Sequence, residues 1–238
     1  MRQTPLAERR CEELGCFRNG LVPDMGSLAS RLRKLSALAR FLYLQRIKGF
    51  DPPESPLLDD ESVAWLARRL RSAKLFLEFG SGGSTVLANR LGVPSVTVES
   101  DRFYAAVVRK LLPSPQRAKI LTPRMGVTWQ WGMPVFGKAR KGPRYVHAPF
   151  DQLSGAFPDL VFVDGRYRVA CVLESARQAA EAHCKATVLL DDYESRPNYH
   201  VLEKHLGKPE RIGRAASFMI GERSIPEETV LSHIDNPA

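Results

Sequence analysis

The stretch Lys74–Thr85 reads K-L-F-L-E-F-G-S-G-G-S-T and predicts a β-strand, a glycine-rich turn and the start of a helix. The apolar part of the strand ends at Glu78, and Gly80, Gly82 and Gly83 form the turn. Glycine has no Cβ, so the backbone N–H groups at the start of such a helix can approach a ligand closely. The stretch therefore predicts a ligand-binding turn at one edge of a sheet.

A second carboxylate follows at a spacing that matters for this turn. The apolar strand Ser95–Val98 ends in Glu99, nineteen residues after Gly80. An acidic residue at about this distance can bind the two hydroxyls of a ribose. The turn and Glu99 together predict a pocket for an adenosine-containing cofactor. The alternative, in which the glycines only connect a strand to a helix, is left open.

The run E-F-G-S-G-G-S resembles motif I of the class I S-adenosylmethionine-dependent methyltransferases, E/D-x-G-x-G-x-G, with Ser84 in place of the last glycine. A nicotinamide site would instead carry G-x-G-x-x-G, and here Thr85 stands at its third glycine position. The resemblance implies S-adenosyl-L-methionine as the cofactor. The cofactor-binding residues that it implies are Glu78, Gly80, Ser81, Gly82, Glu99 and Asp164, with Asp151 and Phe150 near the adenine.

Composition places the chain among ordinary globular proteins. It has 238 residues, of which 44% are hydrophobic and 26% charged, enough for one α/β domain with an appendage. Its four cysteines form no C-x-x-C pair, so we expect no structural zinc site and a reduced, cytoplasmic environment. We expect neither a secretory signal nor a membrane-spanning helix.

The net charge of +9 is concentrated before residue 50. The pattern of leucines and arginines over 27–48 predicts a basic amphipathic helix, which either packs on the main domain or contacts an anionic membrane surface peripherally. Nucleic-acid binding is not expected, because basic residues interleaved with aromatics are missing. The oligomeric state does not follow from the sequence.

Alternating strands and helices predict a doubly wound α/β fold: a mostly parallel seven-stranded sheet with helices on both faces and a C-terminal antiparallel hairpin. The predicted division is an N-terminal helical extension with a proline-rich linker over 1–58, a methyltransferase domain over 59–223 and a tail over 224–238. Residues 123–144 are predicted to form a long loop, and 210–214 and 217–222 the hairpin strands.

Three further aspartates follow predicted strands: Asp164 after the fourth, and Asp191 and Asp192 after the fifth. The stretch V-L-L-D-D-Y is similar to the same strand end in catechol and caffeoyl-CoA type O-methyltransferases, whose metal-dependent members bind a divalent cation with such residues. Here Asp192 replaces their asparagine. The resemblance thus implies a magnesium site as one hypothesis, and the metal-free alternative makes Asp164 or Asp191 the general base or a substrate anchor. His147 is a further candidate base.

The predicted function is methyl transfer from S-adenosylmethionine to a small-molecule or glycan acceptor, at oxygen. Arginines and tyrosines near the last two acidic strand ends favour an anionic or glycan-like acceptor; they are Arg166, Tyr167, Arg168, Tyr193, Arg196 and Tyr199. Two alternatives remain open at this stage. One is a nucleotide-sugar or nicotinamide enzyme on the same fold, and the other is a non-catalytic module that binds a membrane or a partner.

Overall fold

The structure, a computed structural model, describes residues 36, 39, 40, 43, 51–128, 130–134, 138–153 and 155–234. The chain divides into two units, Met1–Gly49 and Phe50–Ala238. In the first unit the described residues are helical and exposed. The rest of the predicted basic helix lies outside the described residues, and so do Trp129 and Phe136 of the predicted loop. The division into 1–58, 59–223 and 224–238 stays a prediction.

The second unit is built on the predicted seven-stranded sheet, which has the order β3-β2-β1-β4-β5-β7-β6. Its first five strands pair in parallel, whereas β7 runs antiparallel to β5 and to β6. The strands are β1 (Phe76–Phe79), β2 (Ser95–Val98), β3 (Ala118–Leu121), β4 (Leu160–Val163), β5 (Ala186–Leu190), β6 (Glu210–Ile212) and β7 (Ala215–Ile220).

Every residue of β1, β2, β4 and β5 is buried. Continuous apolar runs of this kind are what a parallel sheet covered on both faces requires. The chain reverses its winding between β1 and β4, which are neighbours in the sheet although two strands separate them in sequence. Ligands of open α/β sheets bind at the carboxyl ends of the strands at such a point.

Seven α-helices lie within the described ranges. Two of them begin at aspartates whose side chains accept hydrogen bonds from the first turn, Asp59 from the Ser62 N–H and Asp101 from the Phe103 N–H, as expected of N-caps. The helices are α1 (Asp60–Leu70), α2 (Gly83–Arg90), α3 (Arg102–Leu111), α4 (Lys138–His147), α5 (Arg168–Glu181), α6 (Leu202–Leu206) and α7 (Glu227–Ser232).

The predicted loop over 123–144 is wrong in its second half, because α4 begins at Lys138. Gly142 and Pro143 both disfavour a helix interior, yet the helix buries Tyr145 and Val146 completely in the core. A Cβ at Gly142 would collide with the Cγ2 atom of Ile234, which approaches from the far end of the chain. Tertiary packing thus outweighs local propensity in this segment.

The predicted hairpin is present, but its turn lies at Gly213 and Arg214, at the end of the first predicted strand. A 3₁₀ turn, Pro197–Val201, leads directly into α6. Residues near the chain's end also contribute to the core, since Ile225, Val230 and Ile234 are buried. None of the helices in the described ranges is long and apolar enough to cross a bilayer.

Candidate functional site

The glycine turn connects β1 to α2 and is packed tightly against the end of β4. Gly80 has a φ of +100°, and a Cβ there would lie 2.7 Å from the backbone nitrogen of Gly165. The two glycines thus let β1 and β4 end side by side. Around Gly82 there is more space, since a Cβ would meet only the Tyr104 hydroxyl, at 3.7 Å. The turn is open at Gly82 and closed at Gly80.

Glu78 lies beneath this turn and is fully buried. Its carboxylate accepts hydrogen bonds from the hydroxyls of Ser84, Thr85 (2.6 Å) and Thr97 (2.9 Å). Burial raises the pKa of Glu78 to about 7, although these three hydrogen bonds oppose the shift. Glu78 therefore ties the start of α2 to β1 and β2, and its predicted role towards the cofactor acts through the shape of the turn.

Glu99 lies at the end of β2, opposite the turn. One carboxylate oxygen accepts hydrogen bonds from the N–H (3.0 Å) and hydroxyl (2.9 Å) of Ser81, and the other from the Asp101 N–H (2.9 Å) and the Ser100 hydroxyl (3.2 Å). Burial raises its pKa, and the hydrogen bonds from Asp101 and Ser81 oppose this shift. The structure thus brings together Glu99, Ser81 and the turn, as the sequence predicts.

A short 3₁₀ turn, Gln130–Gly132, covers the Glu99 carboxylate. A Cβ at Gly132 would overlap the Ser100 hydroxyl and lie 3.3 Å from a Glu99 carboxylate oxygen. Trp131, next to it, has a φ of 58° and a side chain that is 62% exposed. Glu99 is only 7% exposed, so a ligand could contact its carboxylate only if this turn shifted or the serine hydroxyls rotated.

A cavity of about 670 Å³ lies at the end of the neighbouring strand, β3. This strand end is adjacent to Glu99, whose N–H donates to the Leu121 carbonyl (2.9 Å). Asp151 is exposed and contributes to the cavity wall, while Phe150 packs against Phe79 in the core. The cavity is lined by Leu121, Thr122, Pro123, Arg124, Arg144, His147, Ala148, Asp151 and Gln152.

His147, the further candidate base, is the last residue of α4. Its Nδ1 is 2.9 Å from the buried carboxylate of Glu174, and this hydrogen bond raises the pKa of His147. Burial acts to raise the pKa of Glu174, but hydrogen bonds from His147, Arg177 and Gln178 lower it to about 2. His147 thus serves an ion pair between α4 and α5.

The other carboxylates of the site, at the ends of β4 and β5, are held by arginines. Asp164 accepts a 2.7 Å hydrogen bond from Arg168, and its side chain keeps 37% of its surface exposed. Burial of the charge together with Asp191 and Asp192 raises the pKa of Asp164 to about 7, against the pull of Arg168. Among the described residues its second oxygen has no hydrogen-bond donor. This oxygen is available to a ligand.

Asp191 is nearly inaccessible, with 1% of its side chain exposed. Both of its carboxylate oxygens are bound by Arg214, at 2.8 and 2.6 Å. Asp192, whose φ is 59°, accepts bonds from Arg168 (3.1 Å) and Arg196 (3.3 Å). Sequence reasoning missed Arg214, because it lies on the turn between β6 and β7 and meets Asp191 only once β7 pairs with β5.

The three aspartates were the predicted metal ligands, and each has an oxygen within 4.8 Å of the others. Guanidinium groups nevertheless bind at least one oxygen of each: Arg168 binds one oxygen of Asp164 and one of Asp192, and Arg214 binds both oxygens of Asp191. A divalent cation would have to displace these bonds and stand beside buried positive charge. The residues present do not fit a metal ion.

Comparison with solved structures gives one informative match. A methyltransferase-like protein from Silicibacter pomeroyi shares 34% identity with this chain, covers 79% of it and 99% of its own length, and superimposes with a TM-score of 0.71. No family model matches the sequence, and no curated protein matches it significantly.

Two further structures are more distant. A protein from Klebsiella pneumoniae assigned as an O-methyltransferase has 16% identity and a TM-score of 0.47, covering 92% of this chain and 96% of its own. A Thermus thermophilus 16S rRNA methyltransferase, solved with AdoMet and guanosine, has 13% identity and a TM-score of 0.34, covering 68% and 40%.

Proposed function

Since the chain belongs to the class I S-adenosylmethionine-dependent methyltransferases, we propose that it transfers the methyl group of S-adenosylmethionine to a hydroxyl of a small-molecule or glycan acceptor. The observation that carries the proposal is the arrangement at the carboxyl ends of β1, β2 and β4. A glycine turn, the carboxylate of Glu99 and a ligand-accessible aspartate converge there, at the point where the sheet reverses its winding.

The proposed cofactor site extends from the glycine turn to the end of β3. Gly80, Ser81 and Gly82 would border the methionine moiety, with Glu78 holding the turn in shape from below. Glu99 would bind the ribose hydroxyls after releasing a serine hydroxyl. The cavity beside Asp151 is of the size that ligand pockets have, about 300–1,000 Å³, and would take the adenine.

For methyl transfer, the protein chiefly has to align the acceptor with the methyl group and remove the acceptor's proton. The sulfonium of S-adenosylmethionine is already activated, so the acceptor oxygen must be placed in line with the methyl group and lose its proton. Asp164 is suited to the second task, because a base with a pKa of about 7 is partly deprotonated at neutral pH. Asp191 acts on this picture as a positioning residue that fixes Arg214.

Isothermal titration of the full-length protein with S-adenosylhomocysteine and with NAD tests the cofactor assignment. We expect micromolar binding of S-adenosylhomocysteine and none of NAD. In Glu99→Ala the affinity should fall by about 1–3 kcal/mol, the usual loss for a charged hydrogen-bonding partner. Binding of NAD alone would overturn the assignment, and an unchanged affinity in the variant would remove Glu99 from the site.

The acceptor class is tested with methyl-labelled cofactor and a fractionated metabolite extract. We expect label in a small molecule or glycan, in a linkage that resists mild base, as an ether does. Label recovered only in protein or nucleic acid would contradict the proposed acceptor class.

A further inference from the structure

The arginine-rich half of the site contains more positive than negative charge. Asp164, Asp191 and Asp192 supply three carboxylates, and the arginines that bind or face them are Arg166, Arg168, Arg196 and Arg214. A cluster of this sign attracts an anion and repels a cation.

The arginines differ in their burial and in the number of hydrogen bonds that they donate within the protein. Arg168 is almost fully buried and donates to the Gly165 carbonyl, Asp164 and Asp192. Arg196 makes a longer bond to Asp192, at 3.3 Å, and leaves 33% of its side chain exposed. Its guanidinium lies 5.6 Å from the ring centre of Tyr199. Arg196 therefore has donors to offer to a ligand.

Tyr199 supplies a second, independent observation. Its side chain is completely buried, yet its hydroxyl has no hydrogen-bond partner among the described residues. Leaving a buried hydroxyl unpaired costs about 1–3 kcal/mol, so such groups normally have a partner. The phenol lies within the electrostatic reach of Arg166, Arg168, Arg196 and Asp192. An anion bound at these arginines is therefore a candidate partner for the hydroxyl.

We propose that the methyl acceptor carries a negatively charged oxoacid group, a carboxylate or a phosphate ester, which binds Arg196 and the Tyr199 hydroxyl beside Arg166 and Arg168. Guanidinium forks match the oxygens of either group, and the phenol donates the remaining hydrogen bond. The anionic group would anchor the acceptor while Asp164 faces its hydroxyl. The inference rests on the proposed methyltransferase function and specifies its substrate class.

The first test measures anion binding without any need to know the acceptor. Full-length protein saturated with S-adenosylhomocysteine is heated in about 20 mM inorganic phosphate, acetate or chloride at matched ionic strength. For a millimolar site we expect phosphate or acetate to raise Tm by about 2–5 °C above chloride. The ion with the larger shift distinguishes a phosphate from a carboxylate ligand.

Variants assign the shift to the proposed residues. Arg196→Gln and Tyr199→Phe should each lose most of it. Tyr199→Phe should keep its Tm in chloride, because within the described ranges its hydroxyl has no hydrogen-bond partner. Arg211→Gln is the matched control, since Arg211 is an exposed arginine bonded to Glu194; it should retain the shift. An equal shift in Arg196→Gln, or no shift above chloride in the wild type, would overturn the proposal.

The second test follows the product. Methyl-labelled products from a metabolite extract are separated on an anion exchanger at pH 8, and we expect the label in the retained, anionic fraction. With the purified acceptor, Arg196→Gln should raise KM about 10-fold or more and change kcat by less than about 3-fold. Label in the neutral flow-through would contradict the inference. If no product forms at all, the proposed function fails, and the phosphate and acetate titration still decides whether the anion site exists.

Discussion

The two halves of the site satisfy their carboxylates in opposite ways. At the ends of β1 and β2, Glu78 and Glu99 accept hydrogen bonds from hydroxyls and backbone N–H groups, all of them neutral donors. At the ends of β4 and β5, Asp164, Asp191 and Asp192 are bound by arginines. The carboxylates of the first half therefore have no positively charged partner, whereas those of the second half are surrounded by arginines.

This difference indicates what each half can bind. A carboxylate held by hydroxyls can exchange one of them for a ribose hydroxyl, because like replaces like and no charge is uncovered. A carboxylate held by a guanidinium cannot release it without leaving a buried charge unpaired. The first half therefore suits a cofactor with hydroxyl groups, whereas the second suits an anionic acceptor that binds the arginines from outside.

The largest expected effect is on catalysis by the exposed carboxylate of the second half. Asp164→Asn keeps an oxygen for Arg168 but removes the base, so kcat should fall by about 10²–10⁴-fold. Affinity for S-adenosylhomocysteine should stay within a few-fold, which calorimetry checks. A kcat within 10-fold of the wild type would show that another group removes the proton.

The pH dependence of wild-type activity also tests whether Asp164 is the general base. The pKa of Asp164 is raised to about 7, so the base is protonated and inactive below that pH. We expect kcat/KM to rise with pH and to level off above pH 7, and the Asp164→Asn profile to lose this step. A profile that is flat from pH 5 to 9 in the wild type speaks against Asp164 as the base.

The unfolding free energies of arginine variants test whether buried charge pairs stabilise the second half. Arg168→Gln leaves Asp164 without its guanidinium and Asp192 with only the longer bond from Arg196. We expect about 3–5 kcal/mol of lost unfolding free energy, measured by urea denaturation. Arg196→Gln serves as a control on the same cluster and should cost under about 1 kcal/mol, because its bond is long and partly exposed. A small loss in Arg168→Gln would mean that the cluster is not held by buried charge pairing.

Removal of one carboxylate partner in the first half should lower the unfolding free energy by less than Arg168→Gln does. Thr97→Val removes one of the three hydroxyls that donate to Glu78 and keeps the volume of the side chain. We expect a loss of about 1–3 kcal/mol, since two donors remain. Equal losses in Thr97→Val and Arg168→Gln would erase the contrast between the two halves.

Removal of metal should have the smallest effect. Because each of the three aspartates is already paired with an arginine, turnover in a chelator such as EDTA should stay within about 2-fold of the untreated enzyme. Added magnesium should not change it. Loss of activity in EDTA with recovery in magnesium would show that the arginines yield to a cation.

Much of the fold followed from local sequence. Apolar runs such as V-L-L-D-D placed the parallel strands. Helix α4 did not follow, because Gly142 makes room for Ile234, a contact between residues distant in sequence. Helix propensity depends on neighbouring residues in the sequence and carries no information on such a contact.

The site was predictable to the same extent. Residues that a strand or turn places directly, Gly80, Glu99 and Asp164, lie together as the sequence predicted. What surrounds them was not predictable: the pairing of Asp191 with Arg214 depends on the antiparallel return of β7, and the closure of Glu99 by Ser81 depends on side-chain rotamers. Those partners decided against the metal hypothesis.

The most direct test of the cofactor site is a crystal structure of the protein with S-adenosylhomocysteine. It should show both ribose hydroxyls within about 2.6–3.2 Å of the Glu99 carboxylate, with the Ser81 hydroxyl turned away and the backbone of Gly82 against the methionine moiety. A nucleoside bound elsewhere, with both Ser81 hydrogen bonds to Glu99 intact, would contradict the account.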